Sequence, residues 1–298
     1  MLNSRVLGRL KTRSAIAAQV GVLAIAPFSG ASPLLTEGFN YTTGDIAGKA
    51  GGTGFDGADS WAVTLGGGGT GTAGANVTSG SLAFSDYATA GNKLTVDTSA
   101  ISSGTVNVLV QRKQAFSVSS GNVWVSYLYQ RDDAGNDNSR TAEVRVNGAQ
   151  FGVQPKSPSG SGVRVRYDSS GSGSAGDYQD GATYLIVAKF SDVGTAGAAS
   201  SMWALSASAY NAIKADGITE AELGAALSTD TTTVARTIAS GDLIEIVSST
   251  SQAPFTFSID ELRYGTEIAD VVPVPEPGSM ALTMLGVAIL AARRRNRG

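Results

Sequence analysis

Apolar and polar positions alternate with a period of two at many places along the chain, the pattern of half-buried β-strands. Val106, Val108 and Val110 alternate with Asn107 and Leu109. Val123, Val125, Tyr127 and Tyr129 alternate with Trp124, Ser126, Leu128 and Gln130, a strand apolar on both faces and therefore central. Val144 and Val146 alternate with Glu143, Arg145 and Asn147, which predicts a half-exposed strand. It ends at Asn147-Gly148, a dipeptide suited to the positive φ angles of a type I′ turn, so Phe151 to Val153 should return antiparallel. Val163, Val165 and Tyr167 alternate with Arg164, Arg166 and Asp168, and Thr183 to Phe190 is a nearly continuous apolar run, again central. Leu243 to Val247, then Phe255, Phe257 and Ile259, complete the set.

Weaker signals lie between these. Leu34 to Tyr41 reads as an edge strand with Phe39 and Tyr41 on one face, and Leu82 and Phe84 alternate before Asp86. From Gly44 to Gly80 glycine and threonine dominate, with only Trp61 and Val63 to pack, which predicts loops punctuated by short strands. The run Gly66 to Gly69 is no phosphate cradle, because no Gly-Lys-Ser/Thr follows it. Ser206 to Leu227 is rich in Ala and Leu, and Thr219-Glu-Ala-Glu222 has the form of a capping box, so one short helix from about Glu220 to Leu227 is expected between strands. Recurrent strands with Gly, Ser and Asn turns predict an all-β, antiparallel sandwich or barrel.

Both ends depart from this pattern. Arg5, Arg9, Lys11 and Arg13 precede an apolar stretch from Ala15 to Phe28, followed by Ser29-Gly-Ala31. A basic start, an apolar helix and small residues at the two usual positions describe a secretory signal peptide, with cleavage expected after Ala31. At the other end Pro273-Val-Pro-Glu-Pro-Gly278 leads into an apolar run ending at Ala292, then Arg293, Arg294, Arg295 and Arg297. Ser279 to Ala292 would span roughly 21 Å as a helix, short of a hydrocarbon core about 30 Å thick. The arginines form a cytoplasmic stop. Such a segment suits a pause in the membrane while the spacer is processed. The expected division is therefore 1–31 signal peptide, 32–270 sandwich domain, 271–279 proline-rich spacer, and 280–298 hydrophobic helix with its arginine cluster.

Composition narrows the chemistry. Charged residues are 16% of the chain and glycine 38 of 298, the balance of an exported, turn-rich β protein. The formal charge is −3, with clustered cations in the two ends, so nucleic acid is not an expected partner. There is no cysteine, so a body of about 240 residues must rest on its core alone. There is no histidine either, which excludes Ser-His-Asp and Cys-His catalytic sets and the usual His-bearing zinc sites.

Val274-Pro275-Glu276-Pro277, followed by a short hydrophobic helix and terminal arginines, resembles the PEP-CTERM sorting signal of exported bacterial proteins. The resemblance implies handling by export machinery and signal peptidase, a transient anchor in the membrane, processing at Pro-Glu-Pro by a membrane protease of the exosortase type, and a final place at the cell surface or in the extracellular matrix. Glu37-Gly-Phe-Asn-Tyr41, Gly51-Gly-Thr-Gly-Phe55, Trp61 and the closing Ile259-Asp-Glu-Leu-Arg-Tyr-Gly265 are similar to concanavalin-A-like, laminin-G-like jelly rolls. That likeness implies a jelly-roll sandwich whose first and last strands pair, so both termini leave from one end.

Glycosidases sharing that fold carry their carboxylates on one strand as Glu-x-Asp-x-x-Glu. The motif is absent here; Asp242-Leu-Ile-Glu245 and Asp260-Glu261 are the nearest approaches, and the latter pair is expected to bond Arg263. Asp132, Asp133, Asn136 and Asp137 form an acidic loop that could hold Ca²⁺, although the same residue types make an ordinary solvated turn. Asp177 to Asp180 reads in the same way. Trp61, Trp124, Trp203, Tyr178 and Tyr210 are the aromatics that could stack on a sugar. The expectation is a non-enzymatic surface or matrix protein needing no cofactor, with a polysaccharide as its candidate partner. The competing expectation is a carboxylate-dependent glycan hydrolase or lyase on the same fold.

Overall fold

The computed structural model of the chain describes residues 32–68, 70–85, 87, 89, 91–131, 141–147, 151–155, 163–167, 172–173, 181–214, 218–251 and 256–272. The expected signal peptide with Ala31, the acidic loop Asp132, Asp133, Asn136 and Asp137, the Asp177–Asp180 segment, the expected spacer from Pro273 onward and the arginine-terminated tail all lie outside these residues, whereas Val271 and Val272, at the start of that spacer, are described.

In chain order the strands are β1 Leu35–Glu37, β2 Gly44–Asp45, β3 Ala62–Gly66, β4 Thr70–Ser79, β5 Asn92–Ser103, β6 Thr105–Lys113, β7 Gly121–Arg131 and β8 Thr141–Val146. They continue as β9 Phe151–Pro155, β10 Val163–Tyr167, β11 Ser172–Gly173, β12 Thr183–Val193, β13 Ala199–Leu205, β14 Ser228–Thr231, β15 Leu243–Ser251 and β16 Thr256–Gly265. Two short helices, α1 Ala207–Ile213 and α2 Ile268–Val271, and a 3-10 turn at Glu220–Leu223 complete the elements. A ten-stranded sheet runs β11-β14-β13-β12-β7-β16-β5-β4-β2, with β1 also on β16; a six-stranded sheet runs β10-β9-β8-β15-β6-β3. The expected antiparallel, all-β sandwich is the fold.

The central positions follow from the sequence pattern. β7, apolar on both faces, lies between β12 and β16, and Tyr127 Oη reaches across the sandwich to donate to the Val153 carbonyl at 3.2 Å. β6 buries Val106, Val108 and Val110 and turns Asn107, Leu109 and Gln111 outward, as alternation requires. Phe151 meets Phe190 edge-on at 5.4 Å, and Phe116 meets Tyr264 at 5.9 Å, closing the core between the sheets. β1 and β16 pair with Leu35 opposite Tyr264, so the first described strand and the last share one end of the molecule, as the jelly-roll likeness implied.

Several expectations need correcting. The Gly- and Thr-rich region contains β4, a ten-residue strand that pairs with β5 along its length. Leu82 and Phe84 are not in a strand; they belong to a loop whose apolar side chains pack against the outer face of the ten-stranded sheet. The Thr219–Glu222 capping box is present, yet it starts only the 3-10 turn, and the α-helix of that stretch is the earlier α1, capped by Ser206 Oγ accepting from Ala209 N at 3.2 Å. β8 and β9 pair antiparallel with Val146 opposite Phe151, the expected return of Phe151 to Val153, and Asn147 has the expected positive φ of 52°, while Gly148 lies outside the described residues.

The residues that carry the jelly-roll likeness converge on one buried carboxylate. Glu37 accepts from Phe39 N at 2.8 Å, Tyr41 Oη at 2.5 Å and Trp61 Nε1 at 3.2 Å, with Arg112 Nη1 at 3.8 Å. The Arg112 guanidinium also covers the Phe55 ring at 4.1 Å and donates to the Gly51 carbonyl at 2.7 Å. Burial raises the Glu37 carboxyl above its ordinary range, opposed by these donors. Gly54, at φ +81°, lies so close to β1 that a Cβ would fall on the Leu34 carbonyl oxygen. These residues are structural: they fasten the segment 51–61 to the first strand.

Candidate functional site

The four described aromatic residues singled out for sugar stacking are buried. Trp61, Trp124 and Trp203 are 1%, 3% and 5% exposed, and Tyr210 is fully buried. Trp124 and Trp203 stack at 6.1 Å in a second hydrophobic core with Leu128, Leu185, Val187, Leu205, Tyr210 and Val271. This core lies on the outer face of the ten-stranded sheet, beneath the loop carrying Leu82 and Phe84, α1, the 3-10 turn and α2. Alternation explains it: on β7 the residues facing away from the inner core are Trp124, Ser126 and Leu128, too apolar to face water. Tyr178 lies outside the described residues.

The nearest carboxylate pairs are also accounted for. Asp260 is fully buried; its Oδ2 accepts from Ser81 Oγ and from Leu82 N at 3.0 Å, and its Oδ1 from Glu261 N at 2.8 Å. Burial pushes its carboxyl up from the ordinary 3.8 to about 6, against the pull of those donors. Only Glu261 takes Arg263, at 3.0 Å. Asp260 thus pins the loop that roofs the second core. Asp242 accepts from Ala239 N at 2.8 Å and closes a turn.

Glu245 has a different setting. On the outer face of the six-stranded sheet, register places Arg145, Glu245, Gln111 and Ala62 side by side on β8, β15, β6 and β3. Arg145 Nε donates to Glu245 Oε2 at 2.7 Å, Arg145 Nη1 stands 3.8 Å from Glu143 Oε2, and Gln111 Nε2 donates to Glu245 Oε1. The next row along the strands carries Glu143, Val247, Leu109 and Thr64, and Gln154 is the corresponding outward residue of β9. Val165 of β10 is in the inner core, and the register of β10 on β9 sets positions 164 and 166 opposite Gln154 and Gly152. The side chains of Glu143 and Glu245 are 1% and 6% exposed, whereas Arg145 is 20% exposed. The guanidinium therefore lies over the two carboxylates and is the group presented outward, oriented by both. Sequence reading described β8 as half-exposed and noticed neither the pairing nor the row.

A depression of about 530 Å³ runs along the seam between the sheet edges, lined by Asp45, Ala47, Val63, Leu65, Ala73, Asn76 and Asp97. Its walls are mostly apolar and its two carboxylates are engaged: Asp45 accepts from Ala47 N and Asp97 from Thr256 Oγ1. Among the described residues no group of three or more His, Cys, Asp or Glu could hold a metal. No helix among them is long and apolar enough to cross a membrane.

Residues 273–295 match the PEP-CTERM protein-sorting motif. The chain carries a PEP-CTERM sorting signal. Such a signal marks an exported, surface-directed protein. No curated protein matches the chain. Among solved structures, the Emp47p carbohydrate recognition domain aligns at a TM-score of 0.39 with 9% identity, covering 80% of this chain and 100% of that one. The cellulose-induced protein Cip1 aligns at 0.37 with 14% identity over 76% and 97%. The alginate lyase Aly36B, in complex with an alginate tetrasaccharide, aligns at 0.35 with 11% identity over 80% and 98%. Likenesses this distant say nothing about ligands.

Proposed function

We propose that the chain is a cell-surface or extracellular-matrix protein whose sandwich binds polysaccharide without altering it, through the outer face of the six-stranded sheet. The observation that carries this reading is the oriented row of Arg145, Glu245 and Gln111, a set of polar groups fixed in register on a rigid sheet. Donors held in place lose little freedom when they meet sugar hydroxyls. The competing hydrolase needs two carboxyl groups that reach the scissile bond. Glu143 and Glu245 instead lie under a guanidinium, and Asp260 lies under a loop, which supports a binding surface over a catalytic one.

In the same proposal residues 1–31 are removed on export, the body is 32–270, and the tail from Met280 holds the membrane until an exosortase-type protease acts at Pro275-Glu276-Pro277. Glycan microarray binding by the protein recovered from its native cell surface tests the binding reading. Binding that an Arg145→Lys variant, which keeps a cation beside Glu143 and Glu245, weakens while its circular dichroism spectrum stays that of the parent supports it. Release of shortened glycan products by the same protein would replace it with the hydrolase or lyase.

A further inference from the structure

The two sheet paths end on four strands, and three of these are poor templates for a further strand. β11 and β2 are two residues long, and β10 carries two arginines in its five residues. β3 differs: Ala62-Val-Thr-Leu-Gly66 holds no charge and no proline, the devices that keep an edge from pairing with another chain. Alternation assigns its backbone groups. Trp61 N donates to the Lys49 carbonyl at 2.9 Å and the Trp61 carbonyl accepts from Gly48 N at 2.8 Å, so the groups of Trp61 point away from β6. Those of Val63 and Leu65 point the same way, and among the described residues nothing pairs with them there. β6 agrees: the Lys113 carbonyl accepts from Asp56 N on the β3 side, which turns the groups of Gln111, Leu109 and Asn107 towards Ala62, Thr64 and Gly66. The side chains sort by the same period. Val63 packs on the inner core, and Leu65, 56% exposed, is the most exposed large apolar side chain among the described residues. Both line the depression of about 530 Å³ at the seam.

We infer that β3 is a self-association edge, pairing antiparallel with β3 of a second copy of this chain about a two-fold axis through Thr64. Val63 then exchanges both backbone hydrogen bonds with the partner's Leu65, and Leu65 with the partner's Val63, so every free group of the two edges is used. This is the register that achieves it. Centring the axis on Val63 sets Leu65 against a Trp61 whose groups are taken, and centring it on Leu65 sets Val63 against Gly67, beyond the end of the strand. A second copy fits because one strand carries both halves of the contact. Each Leu65 protrudes, and the residue it meets across the axis, Val63, lines the other copy's depression, the self-complementarity a two-fold interface requires. The six-stranded sheet continues from one copy into the other. The outward rows of Arg145, Glu245, Gln111 and Ala62 come to share one face, with the arginine positions about 34 Å apart along it at about 4.8 Å per strand. In the proposed function the pair offers one glycan chain two points of attachment.

The chain has no cysteine, so an introduced one reports the axis directly. Thr64 and the partner's Thr64 form a non-hydrogen-bonded pair with Cα atoms about 4.5 Å apart, within the reach of a disulfide. Ala62 and the partner's Ala62 lie about 14 Å apart, outside it, and both positions are exposed. In protein recovered from the native cell surface and freed of glycan, mild oxidation should convert Thr64→Cys to a disulfide-linked dimer on non-reducing gels and leave Ala62→Cys a monomer. Sedimentation velocity should show the parent passing from monomer to dimer between about 1 and 100 µM. Leu65→Lys should melt as the parent does by circular dichroism and weaken association about tenfold or more; if it melts early, the two cysteine variants decide. Equal cross-linking of Thr64→Cys and Ala62→Cys, or a dimer that Leu65→Lys leaves unchanged, puts the contact elsewhere and overturns the inference. So does a parent that stays monomeric up to about 100 µM. Another polypeptide that co-purifies with the parent and is lost from Leu65→Lys gives the edge to a different partner and also overturns it. Each of these outcomes leaves the polysaccharide-binding reading to its own test on arrays.

Discussion

Asp260 offers the sharpest test of how the second core is held. Its carboxyl is fully buried and is raised from 3.8 to about 6, chiefly by desolvation. A folded-state value above the unfolded one means that the native state binds the proton more tightly. The stabilisation is therefore complete below about pH 4 and is lost as pH rises through about 6. About two pH units at 1.36 kcal/mol each correspond to roughly 3 kcal/mol of stability lost between pH 4 and pH 7.5. Asp260→Asn removes the titration while its amide oxygen can still accept from Ser81 Oγ and Leu82 N. Its NH₂ meets the Glu261 N–H that Oδ1 now accepts, a donor against a donor, at a pH-independent cost of about 1 kcal/mol. Urea unfolding followed by tryptophan fluorescence at pH 4, 5, 6 and 7.5 measures both proteins. The variant should be the less stable at pH 4 and should gain on the parent by about 3 kcal/mol by pH 7.5. Because every other titrating group is common to both, parallel stability curves across that window would refute the argument.

Other expectations follow from the same structure. Gly54→Ala places a Cβ on the Leu34 carbonyl at φ +81°, so thermal unfolding should show destabilisation of about 2 kcal/mol or more, unlike Gly57→Ala, where the space is open. Tyr210→Ala should cost about 3–5 kcal/mol, because the ring is fully buried against Phe84 at 5.4 Å and Tyr87 at 6.1 Å; urea midpoints measure it. Glu245→Ala leaves Arg145 without its 2.7 Å partner and should weaken polysaccharide binding as well as lower the melting temperature, readings that glycan arrays and calorimetry give separately. Deleting Met280 to Gly298 should release the protein into the periplasm or medium, and intact-mass analysis of the native surface protein should find residues 1–31 and everything beyond the Pro-Glu-Pro motif missing. A truncated protein still in the membrane fraction would contradict the sorting proposal.

The sequence was most legible where β-branched residues alternate. β6, β7 and β12 came through because a row such as Val106, Val108 and Val110 can satisfy only one periodicity. β4, with Gly71, Ala73 and Ala75, stayed hidden because its partner β5 defines it and its own side chains do not. The 3-10 turn shows a local signal read correctly but extended too far: Gly224, at φ +71°, stops the helix that Thr219 and Glu222 begin. The candidate site was the least legible part, since Arg145 and Glu245 are 100 residues apart and meet only through the register of β8 on β15. No local pattern records such a pair.

The absence of cysteine connects the two faces of the molecule. An exported body without disulfides has to find its stability in buried apolar area, and the inner core between the sheets is supplemented here by a second core outside the larger sheet. Trp124, Trp203, Tyr87 and Tyr210 are all used in it. Those are the residue types that would otherwise stack on sugar rings, and α1, α2 and the Asp260-pinned loop cover them. In the proposed function, recognition falls to the other sheet and to a different chemistry, charged and hydrogen-bonding groups set in register. Arg145 shows how such a group is held there: two carboxylates on neighbouring strands fix its guanidinium, so that the protein's own acids orient the cation that a glycan would meet in the proposed function.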